Sequence, residues 1–237
     1  LHGTSRRQRQ MCIRDSLLME KENKFLSKAL DSFKAPYIAI IGGAKVSSKL
    51  ELITYINSGA DHIIVGGGIA NTFLKASGLD IGKSLIENSM IDIAKDLNDQ
   101  GKIVLPKIVT TSKSFEGKDI KEKSVNDITE EEMILDLNIE EETLSLIKDA
   151  KTILWNGPVG VFENDLFAEG TRCLSKAISK SEAFSLAGGG ETLSAINKYI
   201  NPDDVSYCST GGGAFLEFME GKTLPSIKVL NSKETGS

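Results

Sequence analysis

Two lysines four residues apart, Lys45 and Lys49, follow a strand-like apolar run and a Gly-Gly-Ala turn. Val46, Leu50 and Ile53 are spaced as the buried face of a helix, which would put both lysines on another face near its N-terminal end. The helix dipole disfavours cations there, so two ammonium groups gain nothing from this position unless an anion is bound. Two solvated lysines are the alternative interpretation. The glycine turn directly before them favours the anionic ligand.

The same pattern, a strand that ends in glycine before a helix, recurs along the chain. Its glycine-rich segments are 42–44, 66–68, 157–160, 188–190 and 211–213. In an open α/β sheet, ligands bind outside the carboxyl ends of the strands, where loops present backbone N–H groups. The repetition therefore predicts an anion-binding rim of amides and helix N-termini on one edge of one sheet.

The central turn is WNGPVGVFE (155–163), which leaves the apolar run 152–155 and ends at the acidic Glu163. A purely structural loop between a strand and a helix is the alternative interpretation, because short motifs have a high false-positive rate. The other glycine-rich turns favour a functional loop.

The order of strand-like and helix-like segments predicts an α/β fold with a doubly wound, mainly parallel six-stranded sheet and helices on both faces, a Rossmann-like three-layer sandwich. Strands are predicted at 37–41, 62–65, 102–105, 133–137, 152–155, 184–186 and 205–208. Helices are predicted at 17–33, after Lys45, and at 69–76, 84–100, 143–149, 166–178, 190–200 and 213–221. The polar stretch 111–132 is predicted to be an exposed excursion or a small antiparallel ribbon rather than a binding surface.

Composition excludes several classes of function. A net charge of −5 and a pI near 5.3 argue against a general nucleic-acid binder. No apolar run approaches membrane-spanning length, which predicts no membrane partner. Three cysteines without CxxC spacing fit a reducing cytoplasm and suggest neither a disulfide framework nor a zinc site.

Residues 1–16 do not match the rest of the sequence, because four arginines crowd into a segment without apolar periodicity. A basic arm or a targeting peptide is conceivable, but a secretory signal would need an apolar core that is absent here. We interpret this segment as a non-native or artefactual leader and expect the protein proper to begin near Leu17.

Five stretches together resemble the phosphoglycerate kinase family, in the family's order and at about its spacing. They are GGAKVSSK (42–49), GGGIANTFL (66–74), WNGPVGVFE (155–163), AGGGETL (187–193) and STGGGAFLEF (209–218). The resemblance runs from about residue 17 to 230 and covers only the family's C-terminal, nucleotide-binding half. It implies a glycolytic kinase that reversibly transfers a phosphoryl group between 1,3-bisphosphoglycerate with ADP and 3-phosphoglycerate with ATP.

The resemblance also implies a site for MgADP or MgATP. Lys45, Gly190 and Gly213 would be the catalytic positions, with Ser209–Gly213 facing the transferred phosphoryl group. The nucleotide would be bound by Gly43, Ala44, Lys45, Lys49, Gly66, Gly67, Asn156, Pro158, Val159, Val161, Glu163, Gly189, Gly190, Glu191 and Thr192. Among these, the small and apolar positions at 43–44, 66–67, 159 and 161 would line the adenine pocket, and Glu163 would contact the ribose.

Glu191 is the magnesium ligand that the resemblance implies. The family usually has aspartate there, and glutamate keeps the charge on a side chain one methylene longer. Magnesium would then bind directly at a shifted position or through water.

The implied domain organisation is a leader at 1–16, an interdomain-type helix at 17–35, a nucleotide-binding α/β domain at 36–232 and a tail at 233–237. The family's N-terminal domain, which holds 3-phosphoglycerate, has no counterpart in this sequence. We therefore expect a monomer that binds Mg-nucleotide but does not turn over phosphoglycerate alone.

Two other functions stay open. The chain could be a stand-alone nucleotide-binding or regulatory module without transfer activity. A dinucleotide-dependent dehydrogenase is disfavoured, because no G-x-G-x-x-G follows the first strand and the two lysines suit a terminal polyphosphate better.

Overall fold

A six-stranded parallel sheet forms the centre of the computed structural model, which describes residues 33–209 and Phe215. In chain order the described strands are β1 (Tyr37–Ile41), β2 (His62–Val65), β3 (Ile103–Val104), β4 (Ile108–Ser112), β5 (Lys121–Ser124), β6 (Met133–Leu137), β7 (Thr152–Asn156), β8 (Phe184–Gly188) and β9 (Tyr207–Ser209). The central sheet has the order β3-β2-β1-β7-β8-β9, and every neighbouring pair is parallel.

Helices connect these strands and cover the sheet. They are α1 (Leu50–Gly59), α2 (Gly67–Ala76), α3 (Ile91–Asn98), α4 (Glu141–Asp149), α5 (Glu169–Ser179) and α6 (Gly190–Tyr199). β1 and β7 are buried along their whole length, as expected of parallel strands covered on both faces. The predicted fold class is confirmed. No helix in the described part of the chain is both long and apolar enough to cross a bilayer.

A second, antiparallel sheet of three strands lies in the order β5-β4-β6. The predicted antiparallel ribbon within 111–132 is therefore confirmed, and β6 joins it instead of the central sheet. Glu132 is 2% exposed just before β6, and it accepts a 2.8 Å hydrogen bond from Lys123 of β5. This ion pair fixes the approach to β6.

Two helices begin later than their apolar pattern indicates. The helix predicted at 84–100 starts at Ile91 after a short 3₁₀ turn, because the preceding residues bond elsewhere. The Ser84 hydroxyl accepts from the backbone N–H of Ile134, and the Glu87 carboxylate accepts from that of Ser47. The helix predicted at 166–178 is split near Ala168 into a 3₁₀ turn and α5.

The predicted helices at 17–33 and 213–221 lie outside the described residues, apart from Phe33 and Phe215.

Three loops pack backbone against backbone at the carboxyl edge of the central sheet. They follow β1, β2 and β7, and hydrogen bonds join them: Gly66 N–H to the Ile41 carbonyl at 3.0 Å, and Gly67 N–H to the Val159 carbonyl at 2.9 Å. A Cβ on Gly66 would lie 2.5 Å from the Cα of Val159. Only glycine permits this approach, so the glycines set how close the loops come together.

Gly66→Ala is expected to lower the free energy of unfolding by ~1–3 kcal/mol, because the new methyl group must displace the backbone at Val159. Urea denaturation measures the loss. Gly59→Ala is the matched control, since its Cβ would meet nothing closer than the Tyr37 ring at 4.0 Å and alanine favours a helix. Equal destabilisation by both changes would contradict the packing argument.

Candidate functional site

A cavity of about 410 Å³ lies at the carboxyl edge of the central sheet. The loops after β1 and β7 and the first turns of α2 and α6 form its edge, and β6 of the second sheet forms another wall. Its lining residues are Gly43, Ala44, Gly67, Gly68, Asn71, Lys83, Leu85, Phe115, Met133, Ile134, Leu135, Asp136, Leu137, Pro158, Val159, Gly160, Val161, Glu163 and Glu191. The cavity therefore combines exposed backbone, an apolar wall and a few charged groups.

The cavity brings together about half of the site residues that the sequence indicated. Those lining it are Gly43, Ala44, Gly67, Pro158, Val159, Val161, Glu163 and Glu191. Lys45, Lys49, Gly66, Asn156, Gly189, Gly190 and Thr192 are not part of the lining, and Gly213 lies outside the described residues. Gly66 contacts Val159 of the lining, and Lys49 approaches Asn156 at the end of β7.

Asn156 connects the glycine-rich loops to Lys49. It is 1% exposed, and its amide nitrogen donates a 2.7 Å hydrogen bond to the carbonyl of Gly188. Its backbone carbonyl accepts from the N–H of Gly42 at 2.9 Å, and its side-chain oxygen accepts from the Lys49 ammonium. One buried amide therefore fixes the ends of β1, β7 and β8 and the position of a lysine.

Lys49 is a half-buried cation at the edge of the site. Burial lowers the pKa of its ammonium to about 8, and the nearby carboxylate of Glu191 opposes that shift. A lysine with this pKa loses its charge as pH rises through about 8, and a bound anion would favour its charged form. The site thus has a cation whose charge responds to its ligand.

Lys45 precedes the helical turns that follow β1, and the prediction that Lys45 and Lys49 share one helix face is wrong. α1 begins at Leu50 after a 3₁₀ turn at Ser47–Lys49, so Lys45 precedes both and is exposed. Glu87 holds this turn by accepting hydrogen bonds from the backbone N–H and the hydroxyl of Ser47. Those hydrogen bonds keep the pKa of Glu87 below its usual value.

The start of α6 is fixed by Thr192. Its hydroxyl donates to the carbonyl of Gly188 at 2.8 Å and accepts from the N–H of Gly157 at 2.8 Å. Gly189 precedes the helix with φ +99°, a conformation that favours glycine. The first turn of α6 also carries Glu191, which is exposed to the cavity. A helix N-terminus and a carboxylate therefore share this end of the site.

Sequence reasoning missed the wall that β6 contributes and the residues Asn71, Lys83, Leu85 and Phe115. Phe115 lies between β4 and β5 and lines the cavity, within the stretch 111–132 that was predicted to be an exposed excursion or ribbon rather than a binding surface. A single phenylalanine in a strongly charged stretch was the available signal.

Asp136 is a buried carboxylate at the junction of β6 and α5. It is 2% exposed and accepts 2.9 Å hydrogen bonds from the backbone N–H groups of Gly170 and Leu137. Burial raises the pKa of Asp136 to about 7, although these donors act in the opposite direction. The carboxylate thereby caps α5 while lining the cavity.

Comparison with known proteins identifies the family. A family model described as phosphoglycerate kinase matches residues 14–222. The chain belongs to the phosphoglycerate kinase family. It is similar to the phosphoglycerate kinases of Psychrobacter sp., at 48% identity over 231 residues, and of Francisella philomiragia, at 49% over 227 residues. Each alignment covers 92% of this chain and 58% of the relative, so the chain spans somewhat more than half the length of these curated relatives.

Solved structures of the family share the fold. The phosphoglycerate kinase of Coxiella burnetii superposes with a TM-score of 0.85 at 43% identity, covering 91% of this chain and 58% of that one. The enzyme of Pyrococcus horikoshii gives a TM-score of 0.76 at 32% identity, covering 91% and 56%.

Asp136 is expected to make the protein less stable as pH rises from about 4 to about 7. The unfolded carboxyl has a pKa near ~3.9, so in this window the folded state holds a proton that the unfolded state has released. Asp136→Asn removes this contribution, so the difference in unfolding free energy between wild type and variant should change over this window and level off above the folded pKa of about 7. Urea titrations at pH 5, 6, 7 and 8 measure this difference, and a pH-independent value would contradict the assignment.

Proposed function

We propose that this chain supplies the Mg-nucleotide half of a phosphoglycerate kinase. The observation that carries the proposal is the half-buried Lys49, which Asn156 holds near Glu191 where the glycine-rich loops meet. A half-buried cation beside a helix N-terminus is a favourable environment for a polyphosphate. Family membership supports the nucleotide as the source of that polyphosphate.

The volume of the cavity, about 410 Å³, and its place at the sheet edge support a nucleotide as its ligand. Residues Met133–Leu137 of β6, together with Val159, offer a mainly apolar wall for a base. Glu163 and Glu191 supply carboxylates elsewhere in the cavity. Glu163 would contact the ribose, and Glu191 would contact the phosphate-bound metal. The lack of side chains at Gly43 and Gly67 lets a flat base lie against backbone.

The chain's own contribution to phosphoryl transfer would be positioning and positive potential. Lys49 and the amides at the start of α6 would hold the phosphates, while Lys45, on the exposed turn before α1, could reach the transferred group. Closure of the site would exclude water during the transfer.

Glu191 fits the role of a magnesium ligand. Within the described residues there is no cluster of three or more acidic, histidine or cysteine side chains that could hold a metal. Mg²⁺ in kinases is typically bound by one or two carboxylates together with substrate phosphates, so one carboxylate in the cavity suits a metal that arrives with the nucleotide. When bound, magnesium would neutralise part of the negative charge of the phosphates.

The acyl phosphate substrate is assigned to the longer protein. We propose that residues 36–232 form the nucleotide-binding domain of a monomeric, cytoplasmic enzyme that interconverts 1,3-bisphosphoglycerate and 3-phosphoglycerate. The 58% coverage of the relatives supports a second substrate-binding part beyond this chain. Free thiols at Cys173 and Cys208 are compatible with a reducing compartment.

Calorimetric titration of MgADP into the chain tests the nucleotide site. Lys49→Met should weaken binding by about 10- to 100-fold, because a charge-assisted hydrogen bond to phosphate is lost. Lys102→Met is the matched control: this half-buried lysine donates a 2.7 Å hydrogen bond to the Asn57 carbonyl and does not line the cavity. No saturable binding by the folded wild type, or equal weakening by both changes, would overturn the proposal.

The same titration should reveal proton uptake. Because the pKa of Lys49 is about 8 in the free protein and phosphate favours the charged amine, MgADP affinity should fall as pH rises through 8. Binding enthalpies measured at pH 8 in buffers of different ionisation enthalpy quantify the protons taken up. Lys49→Met should bind without this uptake, whereas an unchanged uptake would assign it to another group.

Turnover distinguishes the enzyme from a stand-alone nucleotide module. The chain alone should show no appreciable 3-phosphoglycerate-dependent formation of ADP from MgATP, while a protein of the relatives' full length that contains this chain should show it. A coupled assay for ADP measures both. An inactive but folded full-length protein would favour a regulatory module.

A further inference from the structure

The turn that carries Lys45 and Lys49 is closed in part by hydrogen bonds of its own. The Ser48 hydroxyl donates to the carbonyl of Lys45 at 2.7 Å, and the backbone N–H of Lys49 donates to the carbonyl of Val46 at 2.9 Å. The side chain of Val46, at the N-terminal boundary of the 3₁₀ turn, offers no acceptor to the first N–H groups. An acceptor for them has to come from elsewhere in the chain or from water.

Glu87 supplies that acceptor from a segment 40 residues away. One carboxylate oxygen accepts a 2.8 Å hydrogen bond from the backbone N–H of Ser47, and the other accepts from the Ser47 hydroxyl. These hydrogen bonds lower the pKa of Glu87, so the carboxylate is ionised at neutral pH. Both oxygens of one charged group thus hold the residue that lies between the two lysines.

Glu87 is itself held by α2. Its backbone N–H donates a 3.2 Å hydrogen bond to the hydroxyl of Thr72, which is fully buried and donates to the carbonyl of Gly68 at 2.8 Å. Gly68 lies against the loop after β1, since a Cβ there would be 2.3 Å from the carbonyl oxygen of Ala44. A closed ring of contacts therefore runs from this loop through α2 to Glu87 and back to Ser47.

The charge of Glu87 is unfavourable for an anionic ligand at this turn. Its carboxylate interacts electrostatically with Lys45 and does not line the cavity. If only the electrostatic potential mattered, a carboxylate beside Lys45 would weaken the binding of phosphates. The hydrogen bonds to Ser47 have a different effect, because they fix the backbone from which both lysines extend.

We propose that Glu87 is a positioning residue, which holds the turn at 45–49 so that Lys45 and Lys49 are in place for the phosphates of a bound Mg-nucleotide. This inference rests on the proposed nucleotide site and adds a residue outside the cavity on which that site depends. Preorganised lysines lower the ordering cost of binding. Loss of Glu87 removes this preorganisation and leaves every group of the cavity lining in the chain.

Calorimetric titration of MgADP into the chain and three variants tests this role. Glu87→Ala should weaken binding by about 5- to 20-fold, because the lysines must then be ordered when the ligand binds. Glu87→Gln keeps the length and one acceptor oxygen, so it should restore much of the affinity. Glu87→Asp keeps the charge on a side chain one methylene shorter, and it should bind about as weakly as Glu87→Ala. Electrostatics alone predicts a different order, in which both neutral variants bind more tightly than wild type.

Ser47 provides an independent check of the same contact. Ser47→Ala removes the hydroxyl and leaves the backbone N–H, so it should weaken binding less than Glu87→Ala does. The double variant should bind no more weakly than Glu87→Ala, because both changes interrupt one interaction. Additive losses would mean that the two residues act separately, which would contradict the proposal.

Glu140→Ala is the matched control. The Glu140 carboxylate accepts hydrogen bonds from the backbone N–H groups of Lys107 and Ile108 at 2.8 and 3.0 Å, and like Glu87 it does not line the cavity. This change removes the same kind of contact from a different loop, so MgADP affinity should stay at its wild-type value. Equal weakening by Glu140→Ala and Glu87→Ala would indicate a general loss of stability and overturn the role of Glu87.

The outcomes separate the two proposals. A folded wild type that binds no MgADP overturns both. Unchanged or tighter binding by Glu87→Ala overturns the role of Glu87, while the nucleotide site stands. If Glu87→Ala does not fold, Glu87→Gln and Glu87→Asp decide, because affinity that follows the charge instead of the length contradicts positioning. Affinity that is lost in Glu87→Asp, recovered in Glu87→Gln and unchanged in Glu140→Ala supports the inference.

Discussion

Direct backbone contact between loops at the carboxyl edge of the central sheet is the constraint on which the rest of the site depends. The loops after β1, β2 and β7 meet at Gly42, Gly66 and Gly67, where a Cβ would overlap neighbouring backbone. Side chains cannot separate the strand ends at these points. Peptide groups therefore border the cavity. Larger residues at these glycines would place side chains where the loops now meet.

Charge at this edge is organised by one buried amide. Asn156 accepts hydrogen bonds from Lys49 and donates one to the Gly188 carbonyl. The same residue therefore positions both the lysine and the end of β8. The burial that lowers the pKa of Lys49 also makes its charge sensitive to a ligand. The Thr192 hydroxyl accepts a hydrogen bond from the Gly157 N–H, which keeps the start of α6 next to the loop after β7.

The second sheet turns this edge into a cavity. β6 lies across from the loops of the central sheet, and Asp136 ties it to the start of α5 through the Gly170 amide. A Cβ on Gly160 would overlap the Asp136 carboxylate, so the loop after β7 also packs directly on β6. The solved phosphoglycerate kinase structures share the overall fold over about nine-tenths of the chain.

The sequence by itself determined the fold class, the strands of the central sheet and the family, because buried parallel strands give continuous apolar runs and glycine-rich turns repeat after them. It could not determine where α3 begins, since Ser84 and Glu87 bond to distant backbone groups instead of continuing a helix. Nor could it place Asn71 and Phe115 in the cavity, because which face of α2 and which end of a hairpin meet the sheet edge depends on packing between residues far apart in the chain. The periodic spacing of apolar residues indicates which residues are buried. Only tertiary packing decides which buried groups are left without a partner.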